Sequence, residues 1–375
     1  MFDVICLRDP SELATLRDAW QQLAKGRLFA DFDWLGSWAD SYVNSGELQV
    51  VVARDQAGQV AAILPLCRDS SLVRGRTLKF LGSGKVCTEY QSLLVRESEP
   101  AVVIRAVAAW LAQSATEAGS EWDVLELEST HANDVHIGML VDELSQRNLT
   151  IQVQDAPCCW KVTLAATWDE QLAGLAKDPR RKIRKIVRDY VDTQRATLSV
   201  AEGAEQQQRS LDLLIDFHQQ RWRDAGIEGC FTQPEFERFL RQAVERLGAA
   251  GRVWLGRVDV DQQPVAVSLF IRDKANEYVL YQCGMDPAAR ACQPGWLSNV
   301  LNLQRLIDQG ATHCDYLRGE ERYKRELAAE PVAMTTFAIA APHVVGRFRH
   351  AVVQTEQWLK DWRRQFRAGN ASRPR

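Results

Sequence analysis

The stretch that most constrains the fold runs from Glu277 to Lys324. It opens with an apolar, aromatic segment, Tyr278 to Cys283, whose composition predicts a buried strand. A loop from Gly284 to Gln293 follows. Pro294-Gly295 then predicts a helix start, because proline suits the first helical position. This order places free backbone N–H groups and a close backbone approach at one end of a predicted strand.

The second part of this stretch adds charge to that arrangement. The helix ends near Gly310, and a short strand predicted at Cys314 to Leu317 leads into the charged run Arg318 to Lys324. A helix start binds phosphate through its unpaired N–H groups, and Arg290 in the loop adds a cation. The pattern indicates an anion-binding site next to groups able to move protons. An ordinary strand-to-helix connection is the alternative that the loop alone leaves open.

Length and composition set the limits on class. A chain of 375 residues predicts two core domains. A net charge of -3 and a pI near 6.1 argue against a general nucleic-acid binder. No apolar run is long enough to span a membrane, and the N-terminus does not resemble a signal peptide. Nine cysteines without a C-x-x-C spacing favour reduced thiols in a cytoplasm, and no metal site is expected.

The two halves of the sequence resemble each other. Gln59 to Leu64 is similar to Pro264 to Leu269, each after a hairpin turn, and Trp122 to Leu125 is similar to Cys314 to Leu317, each after a helix. The shared order predicts two tandem copies of one α/β (α+β) unit, each a mixed, mostly antiparallel sheet flanked by helices. The predicted domains are 1–156, 157–342 and a C-terminal helix with a frayed tail at 343–375.

Several local predictions depend on composition alone. Tyr90 to Val95 is predicted to be a strand. Thr150 to Gln154 is expected to close the first half, and Trp160 to Leu164 to open the second as a separate strand. A basic amphipathic helix from Pro179 is expected to be a solvated face, with phosphate, anionic lipid or polysaccharide as alternative ligands.

The motifs in this order resemble the GNAT acyltransferase superfamily in its duplicated form. More narrowly, the chain is similar to the cellulose-biosynthesis (CelD-like) acetyltransferases, which are cousins of the Fem-type aminoacyltransferases. The resemblance covers most of the chain apart from its C-terminal tail. Its residues are Phe32-Asp33-Trp34 with Trp38, Ile63-Leu64-Pro65-Leu66, Phe80-Leu81-Gly82, Phe217-His218-Gln219-Gln220-Arg221-Trp222, Pro294-Gly295-Trp296-Leu297, Asp315-Tyr316-Leu317-Arg318-Gly319-Glu320 and Tyr323-Lys324.

The resemblance implies that acetyl-CoA or another acyl-CoA binds the second copy, with its pyrophosphate at the loop before the helix. The family loop reads Arg/Gln-x-x-Gly-x-Gly/Ala. Arg290 and Gly295 match it, whereas Gln293 stands where the first glycine is expected. The first copy has no such loop, so we expect it to have lost donor binding. The implied cofactor-binding residues are Tyr281, Gln282, Cys283, Arg290, Gln293, Gly295, Trp296 and Leu297.

The remaining candidate residues fall into an acceptor set and a catalytic set. The acceptor set is His218, Arg221, Trp222, Arg318 and Lys324. Among catalytic candidates, Glu320 is expected to be the base and Tyr323 to donate a proton to the departing thiolate. Asp315 is either a buried partner of Arg318 or Lys324, or a proton acceptor. His218 and Trp222 fit a core stripe equally well, and Tyr323 could simply anchor a turn.

No pattern supports a covalent intermediate. The chain has no Gly-x-Ser-x-Gly elbow, and Cys283 lacks an evident histidine partner. Direct attack in a ternary complex is therefore expected, with a backbone N–H at Tyr281 to Gly284 polarising the carbonyl.

The sequence predicts an enzyme that transfers an acyl group from acyl-CoA to an amine or hydroxyl of a sugar, an exopolysaccharide or a related envelope metabolite. A Fem-type aminoacyltransferase that uses aminoacyl-tRNA and a non-catalytic scaffold in exopolysaccharide assembly are the alternatives. A small-molecule or saccharide acceptor is expected, and peripheral contact with envelope machinery is left open, as is the oligomeric state.

Overall fold

A computed structural model describes residues 2–44, 47–71, 75–116 and 121–342. The strands are β1 (Asp3–Leu7), β2 (Leu48–Arg54), β3 (Val60–Ser71), β4 (Gly75–Phe80), β5 (Leu94–Val95), β6 (Val124–His131), β7 (Thr150–Thr163), β8 (Ala196–Val200), β9 (Val253–Val260), β10 (Gln263–Arg272), β11 (Glu277–Met285), β12 (His313–Arg318) and β13 (Glu330–Ala340). The α-helices are α1 (Pro10–Leu13), α2 (Arg17–Ala24), α3 (Phe32–Tyr42), α4 (Pro100–Ser114), α5 (Val135–Ser145), α6 (Trp168–Gly174), α7 (Lys177–Ile186), α8 (Gly203–Asp224), α9 (Pro234–Ala249), α10 (Pro294–Asp308) and α11 (Arg322–Glu326).

One mixed sheet joins the strands that the structure describes. Its order is β1-β2-β3-β4-β6-β13-β7-β12-β11-β10-β9-β8, with β5 paired to β3. Counted inwards from either outer edge of the sheet, the strands follow the same order of antiparallel and parallel pairs. Strands β1 to β4 are antiparallel and β4 lies parallel to β6, while β8 to β11 are antiparallel and β11 lies parallel to β12. The predicted fold class, a mixed and mostly antiparallel sheet flanked by helices, is confirmed.

Two long strands connect the halves at the centre of the sheet. β7 follows the first half in sequence, yet its last residues pair with β12, where Thr163 lies opposite His313. β13 follows the second half, yet it pairs with β6, where Ala340 lies opposite Val124. β7 and β13 also pair with each other, from Thr150 opposite Ala340 onwards. The two halves therefore share backbone hydrogen bonds and cannot separate without breaking them.

The continuous β7 corrects the prediction of two strands at Thr150–Gln154 and Trp160–Leu164. Pro157 lies between the two predicted strands, and in the structure it faces a register shift between Val332 and Met334 of β13. At such a bulge a strand tolerates the missing N–H of proline. The domain boundary expected at 156/157 falls inside this strand, and the division into 1–156 and 157–342 stays a prediction.

Helices cover both faces of the sheet and bring the halves into one core. α3 of the first half packs against α9 of the second, where the Trp34 and Phe239 rings meet edge to face at 4.9 Å. α4 and α5 cover the first half's other face, and α10 with α6 and α7 cover the second half's. The predicted C-terminal helix lies outside the described residues. Within them, no helix has both the length and the apolarity needed to cross a membrane.

Candidate active site

The site begins where two parallel strands separate. β11 and β12 pair only from Glu277 opposite His313 to Val279 opposite Asp315. Beyond these positions the two strands diverge, which leaves a wedge at their carboxyl ends. Ligands of open α/β sheets bind at such carboxyl-end crevices. After β11 a short 3-10 turn, Pro287–Cys292, returns the chain, and Gln293 adopts a left-handed φ of 52° before α10 starts.

A cavity of about 550 Å³ opens at the start of α10. We call it the α10 cavity. Gly295 and Trp296 line it, and so do the guanidinium-bearing Arg221 and Arg290. Neither arginine forms an ion pair within the described part of the chain. An added Cβ on Gly295 would lie 2.9 Å from Met285 Sδ, so the backbone approaches its neighbour closely. A helix start with two uncompensated cations is suited to a bound phosphate.

Hydrogen bonds under α10 fix its first turns. Ser268 Oγ lies 2.8 Å from Ser298 Oγ, and both serines line the α10 cavity. Asn299 Nδ2 donates to Gly295 O at 2.8 Å, while Tyr316 OH donates to Asn299 Oδ1 at 3.0 Å. The helix start is thereby tied to β12 on one side of the wedge and to β10, the strand that pairs with β11, on the other.

A second cavity, of about 400 Å³, lies on the other side of the wedge. We call it the cleft cavity because both halves line it: Lys85, Val86 and Cys87 come from the first half. The two cavities share the wall residues Leu280, Cys283, Glu321 and Tyr323. Because the same residues line both cavities, the cavities adjoin, and ligands bound in them would be neighbours, as a direct transfer requires.

The first half reaches the cleft cavity through the loop Gly82–Tyr90. Tyr281 OH donates to Val86 O at 2.8 Å. Arg318 pairs with the buried carboxylate of Glu89 and donates to Ser129 Oγ at 3.0 Å. Burial raises the pKa of Glu89, although the adjacent Arg318 guanidinium partly opposes this. These contacts make the first half a wall of the site.

The turn after β12 is unusual in its backbone and is held by one lysine. Leu317 adopts a left-handed φ of 55°, which a residue with a branched side chain rarely does. The buried Lys324 Nζ donates to Leu317 O at 3.1 Å, to Arg318 O at 2.8 Å and to Gly319 O at 3.2 Å. It also pairs with Glu321 at 2.9 Å. Lys324 therefore stabilises a strained turn and orients Glu321 towards both cavities.

The shared wall contains groups that stay protonated at neutral pH. Burial raises the pKa of the Tyr323 hydroxyl, which has no hydrogen-bond partner among the described residues. Burial likewise raises the pKa of the Cys283 thiol, and raises that of Cys230 to about 12. A thiol is a nucleophile only as the thiolate. The wall therefore offers a proton donor in Tyr323 and no activated cysteine.

The expected cofactor-binding residues divide among three places. Cys283, Arg290, Gln293, Gly295 and Trp296 line the α10 cavity. Tyr281 and Gln282 instead line the cleft cavity, where Tyr281 contacts Val86 of the first half and Gln282 Nε2 donates to Cys230 Sγ at 3.5 Å. Gln282 Oε1 also accepts from the N–H of Cys283 at 3.1 Å, at the strand edge expected to polarise a carbonyl. Leu297 is wholly buried in the core and lines neither cavity.

The expected acceptor residues lie around the cleft cavity with one exception. His218, Trp222, Arg318 and Lys324 line it, whereas Arg221 lines the α10 cavity. Burial lowers the pKa of His218 to about 4, so the ring is neutral at pH 7. Its Nε2 accepts from Trp222 Nε1 at 2.8 Å and cannot at the same time take a proton from a substrate. His218 therefore shapes the wall.

Two of the expected catalytic residues, Glu320 and Asp315, lie outside both cavities. Glu320 is 67% exposed, pairs with Arg325 at 2.5 Å and lines neither cavity, because its side chain points away from the wedge. Asp315 does not pair with Arg318 or Lys324. It accepts from Tyr90 OH at 2.6 Å and from Leu317 N at 2.7 Å, and it lines a separate cavity of about 290 Å³. Burial raises its pKa to about 6.

Sequence reasoning missed three parts of the site. Glu321 is one residue from the expected base, and only its side-chain direction distinguishes it from Glu320. Ser268 and Ser298 belong to apolar runs that gave no polar signal. The loop at Lys85 to Cys87 belongs to the other half of the chain, and the Gly82-Ser83-Gly84 turn before it was the only indication. Within the described residues, no cluster of three or more His, Cys, Asp or Glu side chains could hold a metal.

One protein-family model matches the part of the chain that contains the wedge. Residues 177–325 match the family model described as an acetyltransferase (GNAT) domain. The match runs from α7 into α11 and so includes the wedge and α10. This confirms the coarser resemblance, to GNAT acetyltransferases, for that part of the chain. The narrower resemblance to CelD-like enzymes stays a prediction.

Solved structures share the fold over most of the chain. FemX matches with a TM-score of 0.58 at 9% identity, over 89% of this chain and 96% of that one. L-PGS from Bacillus licheniformis matches at 0.54 and 12%, over 92% and 96%. A conserved protein of unknown function from Bacteroides thetaiotaomicron VPI-5482 matches at 0.54 and 13%, over 90% and 100%. No curated protein sequence matches this chain.

Proposed function

We propose that the chain is an acyltransferase that moves an acyl group, acetyl in the simplest case, from acyl-CoA to an amine or hydroxyl. The observation that carries the proposal is the pair of cavities on either side of one wall. The α10 cavity combines a helix start with Arg221 and Arg290, and the cleft cavity lies directly behind Cys283 and Tyr323. The donor would occupy the first cavity and the acceptor the second.

The residues of the α10 cavity fit a CoA thioester. The N-terminal turn of α10 and the two free guanidinium groups suit its pyrophosphate. The apolar part of the wall, including Leu280 and Met285, suits the pantetheine arm. A bound thioester supplies an activated acyl carbon. The fit concerns the second half alone, so the first half, with its proposed limits of 1–156, serves as a wall.

Glu321 and Tyr323 are placed for the two proton transfers. When the acceptor attacks the acyl carbon, its nitrogen or oxygen forms a bond to that carbon and the carbon–sulfur bond breaks. Glu321, oriented by Lys324, would take the proton that the acceptor loses. Tyr323, kept protonated by burial, would give its proton to the departing thiolate. Each proton then has a named origin and destination.

The acceptor is proposed to be a sugar, an exopolysaccharide or a related envelope metabolite, and the enzyme is proposed to work in the cytoplasm. The acceptor class rests on the CelD-like resemblance, and the compartment rests on the cysteine pattern of the sequence. Arg318 and Trp222 in the cleft cavity suit such an acceptor, because they offer hydrogen-bond donors and an aromatic edge to hydroxyl groups.

Aminoacyl transfer from tRNA is the second candidate function. The fold shared with FemX favours it, because the family that the sequence resembles is related to the Fem-type aminoacyltransferases. A non-catalytic scaffold would require neither donor. The test is calorimetric titration of the full chain with acetyl-CoA and with aminoacyl-tRNA. Incubation of the preferred donor with amines, amino sugars and saccharides follows, with products detected by mass spectrometry.

Mass spectrometry suits this chain because it has nine free cysteines, and those that are accessible would react with the usual thiol reagents. Saturable acetyl-CoA binding together with an acetylated product supports the proposal. Binding of aminoacyl-tRNA alone supports the second candidate. Binding of neither donor would contradict both and favour the scaffold.

A further inference from the structure

The helix α7 concentrates positive charge in an otherwise acidic chain. Residues 177–188 contain seven lysines and arginines and a single acid, Asp178, whereas the whole chain has a net charge of -3. Arg188 at its end pairs with Asp189 at 2.9 Å, whereas Arg181 lies 3.9 Å from Asp178, and both of the latter side chains are largely exposed. Arg184 and Lys185 form no ion pair in the part of the chain that the structure describes. The positive charges of such a helix repel one another, and a bound anion would reduce that repulsion.

One stripe of this helix faces the α10 cavity. Lys182 Nζ lies 4.2 Å from the centroid of the Trp296 ring, and Trp296 lines the cavity next to Gly295. Lys185 follows one turn later and is exposed on the neighbouring part of the helix surface. Ile183 and Ile186 are buried in the core on the adjoining side of α7, which fixes its rotation. The ammonium of Lys182 is thus held at the cavity rim.

We propose that Lys182 and Lys185 form a second anion site, for the phosphate on the ribose of a CoA donor. The inference rests on the proposed function. With the pyrophosphate at the start of α10, the nucleotide leaves the cavity across Trp296 and meets the lysine stripe. The Lys182 ammonium is only partly compensated by Glu326, at 4.0 Å, so charge remains for a ligand.

The geometry of the helix separates the lysine stripe, Lys182 and Lys185, from the basic residues on the opposite side of α7. Successive helical residues are ~100° apart, which places Arg184 on the side opposite Lys182. Arg184 therefore contributes to the general charge of the helix and not to the rim. A matched pair of variants can separate a phosphate site from a simple solvated face.

The experiment is calorimetric titration of the full chain with CoA and with 3′-dephospho-CoA, which differ by this one phosphate. We expect the wild-type chain to bind CoA about tenfold more tightly, with a preference that falls as salt rises. Lys182→Met with Lys185→Gln should bring the two affinities to within about twofold. Arg184→Gln should keep the preference.

Several results would overturn the inference. Equal wild-type affinities for CoA and 3′-dephospho-CoA would remove the second anion site and leave the proposed function intact. If Arg184→Gln also lost the preference for CoA, the preference would come from the overall charge of α7 and not from a site at Lys182 and Lys185. Binding of uncharged tRNA that disappears in the lysine variant would assign the stripe to nucleic acid. Failure of both CoA forms to bind would instead count against the proposed function. The ratio within one variant does not depend on its folded fraction.

Discussion

The two halves use the same strand order for different purposes, and the difference lies in the loop after the fourth strand. After β11 the chain makes a short turn and starts α10 beside an open wedge. After β4 the loop folds back into the equivalent space. Gln91 donates to Leu81 O there, Trp34 Nε1 donates to Thr88 Oγ1 at 3.1 Å, and a Cβ on Gly82 would collide with Thr88.

The starts of the corresponding helices differ in charge as well. α4 begins at Pro100-Ala101 after the acidic Glu97 and Glu99. Arg96 stands as far before α4 as Arg290 stands before α10, but it is paired with Asp55 at 2.9 Å. Carboxylates at this place oppose a bound phosphate. One half has thus kept an open site with positive charge, while the other has filled its site and turned its loop into a wall of the first. The first half therefore keeps the strand order of the second although its loop fills the space that corresponds to the α10 cavity.

The largest effect is expected at the shared wall. Glu321→Gln should lower turnover by about 10² to 10⁴, because the acceptor's proton loses its destination. Tyr323→Phe should lower turnover by a similar factor through the leaving group. Acetyl-CoA affinity should stay near normal in both. Glu320→Gln is the matched control and should be close to wild type. If Glu320→Gln were as damaging as Glu321→Gln, the assignment from side-chain direction would be wrong.

The next effect concerns the loop by which the first half supports the site. Glu89→Ala leaves the half-buried Arg318 with Ser129 as its remaining partner and should lower the free energy of unfolding by about 1–3 kcal/mol. Urea unfolding measures this. Glu97→Ala removes an exposed partner of Lys25 from the same half and should change little. Similar, small effects of both substitutions would mean that the loop contacts are not structural.

The Asp315 carboxyl should give the protein a measurable pH dependence. Its pKa of about 6 in the folded state exceeds that of the unfolded chain. The folded state therefore binds the extra proton, and its stabilising contribution is present below pH ~4 and lost as pH rises through ~6. The difference from Asp315→Asn should grow by up to about 3 kcal/mol across this window. A difference in unfolding free energy that stays constant with pH would contradict it.

The smallest effect is expected at the rim of the α10 cavity. Arg290→Gln should weaken acetyl-CoA binding by about three- to tenfold, and the loss should shrink at high salt because the side chain is exposed. Arg305→Gln, at the far end of α10, is the control and should bind normally. Equal losses in both variants would indicate general charge and not a phosphate contact.

These residues also show which parts of the fold and of the site could be predicted from the sequence. The helix start at Pro294-Gly295 and the strands around it were predictable, because proline, glycine and β-rich runs act locally. The shared strand β7 was not, since Pro157 resembles a break until its partner strand is seen. The direction of Glu321 and the crossing of Glu89 to Arg318 depend on the left-handed Leu317 and on a contact between distant parts of the chain. No local pattern encodes either.

The most direct test of the central claim is calorimetric titration of acetyl-CoA into Gly295→Val and Ala101→Val. The two positions follow the proline at the start of α10 and of α4. Valine at position 295 must displace Met285 and blocks the backbone approach, whereas Ala101 is exposed. We expect one acetyl-CoA to bind per wild-type chain and the affinity to be unchanged in Ala101→Val. In Gly295→Val we expect the affinity to fall at least ~100-fold, while circular dichroism shows that the fold is retained. Unchanged affinity in Gly295→Val, or a loss in Ala101→Val, would contradict donor binding in the second half.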